Sequence, residues 1–288
     1  MSLLAHDFRS SSDPNKMGGM HDWMLDFAEY VRELLPEELA EPFIALARPA
    51  IRLSMAEEGE TVVGRLGGLP RLPEGVPWPG TDGGSAMQFL AELDCEALAA
   101  YKSDIGLPAE GTLLFFTTWD YAAAQVILLP PGAIRVPERE VPVSGEARMF
   151  PEAPLAAETV ATWPTSGHDE LVKLGDEFWD RLVGEEPWEM FGDMLADFAD
   201  AEGGRDHQVG GYSDALQSPI EVAAAYKAGL TPKDPGFAAE ASQWVTLLQL
   251  DEDNGMLFGD GGRLIFGIRR DRLTARDFSQ VFAYVQGH

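Results

Sequence analysis

The sequence predicts an α+β fold whose β part is largely antiparallel, and three observations carry that expectation. Twenty prolines and thirty glycines in 288 residues punctuate the chain too often for a helical bundle. Short alternating or apolar runs recur across residues 51–129 and again across 245–268. Spacing at three and four is confined to the N-terminal region and the centre, so helices belong there.

The elements follow in order. Residues 1–19 are polar and rich in Ser and Gly, and read as a loose arm. Trp23, Phe27, Tyr30, Val31, Leu34 and Leu35 form one helical stripe. Pro36 starts a second helix, with Glu37 and Glu38 in its first turn where the dipole favours negative charge. Pro42 predicts a kink or an early stop in it. Ile51, Leu53 and Met55 alternate with Arg52 and Ser54, a strand pattern. A turn-rich stretch covers 64–80, and strands are expected at Met87–Leu93, Thr112–Thr117 and Val126–Leu129. A looser β-like region runs to about Pro164, and residues 169–200 read as helical. A short helix around Glu221–Ala228 precedes strands at Val245–Leu250 and Leu264–Ile268.

The pattern repeats. Gly67-Gly68-Leu69 matches Gly210-Gly211-Tyr212, LAELD at 90–94 matches LLQLD at 247–251, and GTLLF at 111–115 matches GRLIF at 262–266. The order is the same in both sets, which predicts an internal duplication of a β-rich unit. A unit unable to cover its own apolar face would pack against its copy. The expected organisation is an arm over 1–19 and a single domain over 20–288, with related halves at about 49–165 and 205–288.

The net charge is −27, from 48 acidic and 21 basic residues. Such a field repels phosphate backbones and anionic bilayers, so neither nucleic acid nor membrane is an expected partner. Plain solubility and an acidic surface that docks a basic protein partner both fit the charge. A lone Cys95 makes no internal disulfide, and no leader-like apolar run opens the chain, so the cytoplasm is the expected location. The oligomeric state is not legible.

Several motifs place the chain beside a known family. GGLPRLPEGVPWP, MQFLAELD, HQVGGYSDALQ, LLQLD and MLFGDGGRLIFGIRRDRLTARDFSQV occur in the order of the YwqG-like bacterial domains of unknown function, which the chain resembles over nearly everything after residue 40. Phe258 stands where the family often has Trp, and Ser213 where it often has Pro. The resemblance implies a compact α+β domain and no reaction. Some members are thought to lie near toxin systems, which implies an immunity or interaction role.

Other motifs fail on inspection. Counted from Asp251, an EF-hand would need glycine where Met256 stands and glutamate where Gly262 stands, so DEDNG reads as a hairpin turn. The glycines at 259–262 lead into a strand and lack the Lys-Ser/Thr of a phosphate loop. Met87 stands where Gly83-Gly84-Ser85 would need a closing glycine to make a nucleophile elbow. One Cys and five scattered His imply no metal site, and no cofactor is implied. Cys95 reads as an inert core thiol.

The remaining candidates are His207, Gln208, Gln217, Asp260 and Arg263 beside tight glycine turns, with the aromatic Trp78. Imidazole, amide and guanidinium groups suit ligand binding, and they equally suit buried backbone groups around unusual turns. No catalytic residue is assigned. Two functions stay open. One is a non-enzymatic cytoplasmic binding or interaction protein, immunity-like in character. The other is a small-molecule enzyme, a hydrolase for instance, with its site between the halves around His207 and Asp260.

Overall fold

The structure, a computed structural model, describes residues 23–134, 147–165, 167–175 and 207–287, with positions 178, 192, 193, 195, 196 and 198. The arm expected over 1–19, and most of the helical stretch expected over 169–200, lie outside the described residues. The chain divides into two compact units, Met1–Ala45 with Leu174–Arg205 and Leu46–Lys173 with Asp206–His288.

The first unit holds α1 (Trp23–Leu34) and α2 (Glu37–Ile44). Phe27, Ala28 and Val31 are the buried positions of α1, one helical turn apart. Leu39, Ala40, Phe43 and Ile44 are those of α2, and the Phe27 and Phe43 rings lie 6.2 Å apart. The ring of Phe198 stacks on Tyr30 at 4.7 Å. Pro36 caps α2, and its carbonyl accepts from the Leu39 and Ala40 amides. Pro42 withholds the amide that would bond back into the helix, and α2 ends two residues later.

The second unit is mostly β. Its strands are β1 (Arg48–Met55), β2 (Gly64–Leu66), β3 (Gln88–Asp94), β4 (Thr112–Thr117), β5 (Ala124–Leu129), β6 (Ala153–Thr162), β7 (His207–Val209), β8 (Trp244–Asp251), β9 (Arg263–Arg269) and β10 (Phe282–Gln286). They form one sheet in the order β10-β9-β8-β7-β1-β6-β2-β3-β4-β5, antiparallel at every pairing. Short helices α3 (Cys95–Leu98), α4 (Asp169–Val172), α5 (Ile220–Lys227), α6 (Phe237–Ala241) and α7 (Arg270–Thr274) decorate it. The sheet curls until it is nearly closed and barrel-like, so that Phe115 of β4 meets Phe266 of β9 edge-on at 5.3 Å. Tyr121, beyond β4, donates to the Leu257 carbonyl beyond β8 at 2.7 Å.

Leu53, Leu93, Leu113, Phe115, Leu248 and Phe266 fill the interior with their neighbours. A second apolar layer, Leu72, Met87, Phe89, Leu114, Phe116 and Leu129, closes the outer face of β3–β5. Burial on both faces explains why β4 reads TLLFFT with every residue buried. The region expected to be loosely β is the ten-residue β6, paired with β1 from Arg48↔Thr162 to Met55↔Leu155. Three strands escaped the sequence reading. β2 and β7 are three residues long, too short for a period of two to show, and all but the last residue of β10 are only half-buried.

Two four-stranded meanders, β2–β5 and β7–β10, flank the central β1–β6 pair. β2 leads into Gly67 and Gly68, with φ of 59° and 71°; β7 leads into Gly210 and Gly211, with φ of 73° and 67°. Register shifts between Phe89 and Ala91 against β4, and between Thr246 and Leu248 against β9. Asp94 stands opposite Thr112, and Asp251 opposite Arg263. A β-carbon on Gly211 would lie 2.5 Å from Thr162 Oγ1 and 2.7 Å from Ala50 Cβ, in a backbone region that side chains avoid. Gly211→Ala is therefore expected to cost about 2–3 kcal/mol, from overpacking and strain together. A urea midpoint equal to that of the parent would contradict this.

Candidate functional site

Residues that the sequence singles out are placed as follows. The His207 ring is 1% exposed, and its Nδ1 accepts the Asp251 amide at 3.1 Å. That acceptor role assigns the proton of the neutral ring to Nε2, which lies 3.8 Å from Asp253 Oδ2. The carboxylate beside this ring is therefore Asp253, while Asp260 stands exposed in the glycine turn. Gln208 is buried, and its Nε2 donates to the carbonyls of Gly210 (2.7 Å) and Tyr212 (2.8 Å). Arg65 treats the first glycine turn alike, donating to the carbonyls of Gly67 and Leu69 at 2.7 and 2.9 Å.

Arg263 donates from Nε to Asp251 Oδ2 at 2.9 Å, and from Nη1 to both the carbonyl and the carboxylate of Asp214 at 2.8 Å. His207 and Arg263 thus meet through Asp251. Gln217 ties its loop to β10, accepting from Tyr284 and donating to the Gly287 carbonyl, while its amide donates to Gln286 Oε1. Trp78 donates its indole N–H to the Met87 carbonyl and packs against the outer layer over β3–β5. Residues 252–262 form the hairpin loop between β8 and β9. Glu252 Oε1 folds into it and accepts the Phe258 and Gly262 amides.

The sequence reading missed a different polar assembly, centred on Tyr212. Arg48, at the start of β1, lays its guanidinium over the Tyr212 ring, 4.0 Å from its centroid. The same guanidinium binds Glu170 Oε1 at 2.8 Å and reaches Asp104 Oδ2 at 4.0 Å. Asp104 in turn accepts the Gly211 amide at 2.6 Å, and Thr162 Oγ1 accepts that of Tyr212. The His168 ring meets the Tyr212 ring edge-on at 4.9 Å. Its Nδ1 lies between the Thr165 amide nitrogen at 3.0 Å and the Thr165 carbonyl oxygen at 3.1 Å.

Burial dominates the titration here. It pushes the Tyr212 hydroxyl well above its ordinary range, and the His168 imidazole down to about 4, so both stay neutral at physiological pH. Burial also lifts Glu221, in the first turn of α5, to about 7; its own amide and Arg48 oppose the rise, and Glu170 and Asp104 add to it. No local motif announces these residues. They come from five separate segments, and only the fold assembles them.

Cys95 is 1% exposed within the interior, and burial raises its thiol to about 11. The thiolate attacks disulfide reagents, so native protein at pH 8 is expected to release no aromatic thiol from Ellman's reagent until denaturant is added. Prompt stoichiometric release would show an open site. Among the described residues, no group of three or more His, Cys, Asp or Glu could hold a metal ion, and no helix is long and apolar enough to cross a membrane.

A family model described as a domain of unknown function, DUF1963, matches residues 64–286. No curated protein matches the chain.

Proposed function

Starting from the fact that this chain belongs to the DUF1963 family of domains of unknown function, we propose that it is a non-enzymatic cytoplasmic binding protein for a basic partner. The observation that carries this reading is the fate of the cations. Seven arginines among the described residues are engaged by carboxylates: Arg32, Arg48, Arg52, Arg65, Arg263, Arg269 and Arg272. The remaining carboxylate excess, within a net charge of −27, sets the long-range field. The enzymatic alternative depends on His207 as a base, and that ring is sealed from solvent with Nδ1 already occupied. The closer likeness to the YwqG-like domains, with its immunity-like implication, belongs to this proposal.

The scaffold supports a second part of it, that β2–β5 and β7–β10 are copies of one unit. Both meanders have a three-residue first strand, a left-handed glycine pair and a one-residue shift within an Asp-ended strand. Arg65 and Gln208 bond the carbonyls two and four residues onward in the same way. An experimental structure with another strand order in either meander would sink the duplication.

The partner is tested by affinity capture at roughly 50 mM salt and elution at roughly 500 mM, where the screening length falls well below 10 Å. The expected result is a stoichiometric protein of high isoelectric point, released by salt and rebinding when purified. A partner that is acidic, or that stays bound at high salt, would overturn the electrostatic reading.

A further inference from the structure

Three loops meet at one end of the sheet. β4 ends at Thr117 and β5 starts at Ala124, β8 ends at Asp251 and β9 starts at Arg263, and β6 starts at Ala153. The antiparallel pairings put all five of these strand ends on the same side.

Side-chain bonds tie the loops together. Tyr121 donates its hydroxyl to the Leu257 carbonyl at 2.7 Å, and Asn254 donates its side-chain amide to the Pro151 carbonyl. The Tyr121 ring also meets Phe258 edge-on at 5.3 Å. Burial raises the Tyr121 hydroxyl above its ordinary range, and Arg148 is close enough to oppose the rise. Residues 118–123, 147–152 and 252–262 therefore share one surface. Tyr121 and Asn254, the two residues that tie it, hold positive φ of 58° and 50°. A bulky ring rarely adopts that region, and such backbone persists only where its surroundings impose it.

The shared surface carries exposed apolar groups. Three of the seven large apolar side chains that stand exposed among the described residues lie in it: Trp119 at 55%, Met149 at 64% and Leu257 at 61%. Their neighbours Thr118, Phe150, Met256 and Phe258 are buried, which holds the three outward on an anchored backbone. Apolar groups gathered in this way mark interaction surfaces, and Trp is enriched among the residues that dominate binding.

Charge selects the occupant. Asp120, Glu152, Asp253 and Asp260 are exposed in the same loops, and Arg148 is the one basic residue within them. The Thr118 hydroxyl and the Ala122 amide hold the Asp120 carboxyl below its ordinary range, so it stays ionised. A second copy of the chain would bring these carboxylates face to face, whereas a basic segment is attracted to them.

We propose that these three loops are the docking face for the basic partner, and that they receive a segment in which lysine or arginine flanks an apolar side chain. This rests on the basic-partner reading, to which it adds a place and an apolar anchor.

The test titrates the whole protein, at roughly 50 mM salt, into short labelled peptides followed by fluorescence anisotropy. The peptides alternate lysine with leucine, lysine with serine, or glutamate with leucine. The lysine–leucine peptide is expected to bind saturably, the lysine–serine peptide about tenfold more weakly, and the glutamate–leucine peptide not at all. Trp119→Ser and Leu257→Ser should each cost about tenfold or more in affinity for the first peptide. Tyr226→Ser, an exposed position outside the loops, should cost nothing. Both loop side chains are more than half exposed, so these variants should melt with the parent, and either one alone decides the matter if the other does not. Unchanged binding in the loop variants, or an equal loss in Tyr226→Ser, overturns the docking face. A glutamate–leucine peptide that binds as tightly also overturns it, as does a dimer in sedimentation that Leu257→Ser dissolves. If no peptide binds, the docking face is wrong; if the parent also captures no basic protein that salt releases, the reading beneath it fails too.

Discussion

Replacing Arg263 by alanine is expected to destabilise the protein by about 3 kcal/mol or more at neutral pH, the scale for removing one partner of a largely buried ion pair. The guanidinium side chain is 16% exposed and serves Asp251 and Asp214 at once. Burial already raises the Asp251 carboxyl above its ordinary range, with Arg263 the leading influence that holds it down. Without Arg263 the rise grows. A carboxyl whose folded value is raised contributes stability at low pH and loses it as pH climbs through that value. The deficit of Arg263→Ala should therefore be small near pH 4 and widen towards pH 7. Asp251→Asn in the same background should recover part of it, since the stranded charge is gone. Urea midpoints at the two pH values decide the matter; a deficit under about 1 kcal/mol at pH 7 would mean that solvent takes over the role of Arg263.

How far the sequence could be read depends on the range over which each feature is written. The strands with long alternating or apolar runs, β1, β3, β4, β8 and β9, were legible because their burial pattern lies within one segment. β2 and β7 were not, because three residues carry no period and their identity comes from neighbours far along the chain. The glycine pairs were legible as special backbone, and all four glycines adopt positive φ. The polar residues beside the second pair were legible as important, but not as to role. Gln208 stood out as a possible ligand contact, whereas its amide nitrogen is fully committed to two carbonyls of the turn. Tyr212 entered the sequence reading as the third residue of the second glycine motif. It is a buried ring, and it is also the floor on which Arg48 lies and against which His168 abuts. His168 and Glu221 sit in unremarkable local sequence, and it is the packing of Pro219 on Gly167 that brings their segments together.

The two glycine turns show how one backbone device is fitted to two environments. In the first meander Arg65 bonds the turn and also meets Glu92 and Glu152, with a half-exposed Glu152 at 53%. In the second, the facing pair is Gln208 and Gln249, both buried. Neutral amides suit the covered face, because an ion pair there would have to be desolvated under the start of α5. Amides also carry donors and acceptors together. Gln249 therefore accepts the Asp214 amide through its Oε1.

Glu221→Gln is expected to raise stability at pH 8 while leaving it nearly unchanged at pH 4. The Glu221 carboxyl sits at about 7, lifted first by burial. An unfolded glutamate ionises near 4.3. Since the folded value is the higher one, its stabilising contribution is complete below the unfolded value and is lost as pH rises through about 7. The full loss is on the order of 3 kcal/mol, at 1.36 kcal/mol for each pH unit of displacement. Glutamine keeps the size and carries no charge, so it escapes that loss. His168 stays neutral above about 4, and burial keeps Tyr212 protonated. Arg48 is paired with Glu170 and Asp104. The difference in melting temperature between the variant and the parent, followed from pH 4 to pH 8, should therefore trace a single titration. A flat difference, or a variant less stable than the parent at pH 8, would place a satisfied and ionised carboxylate at the start of α5.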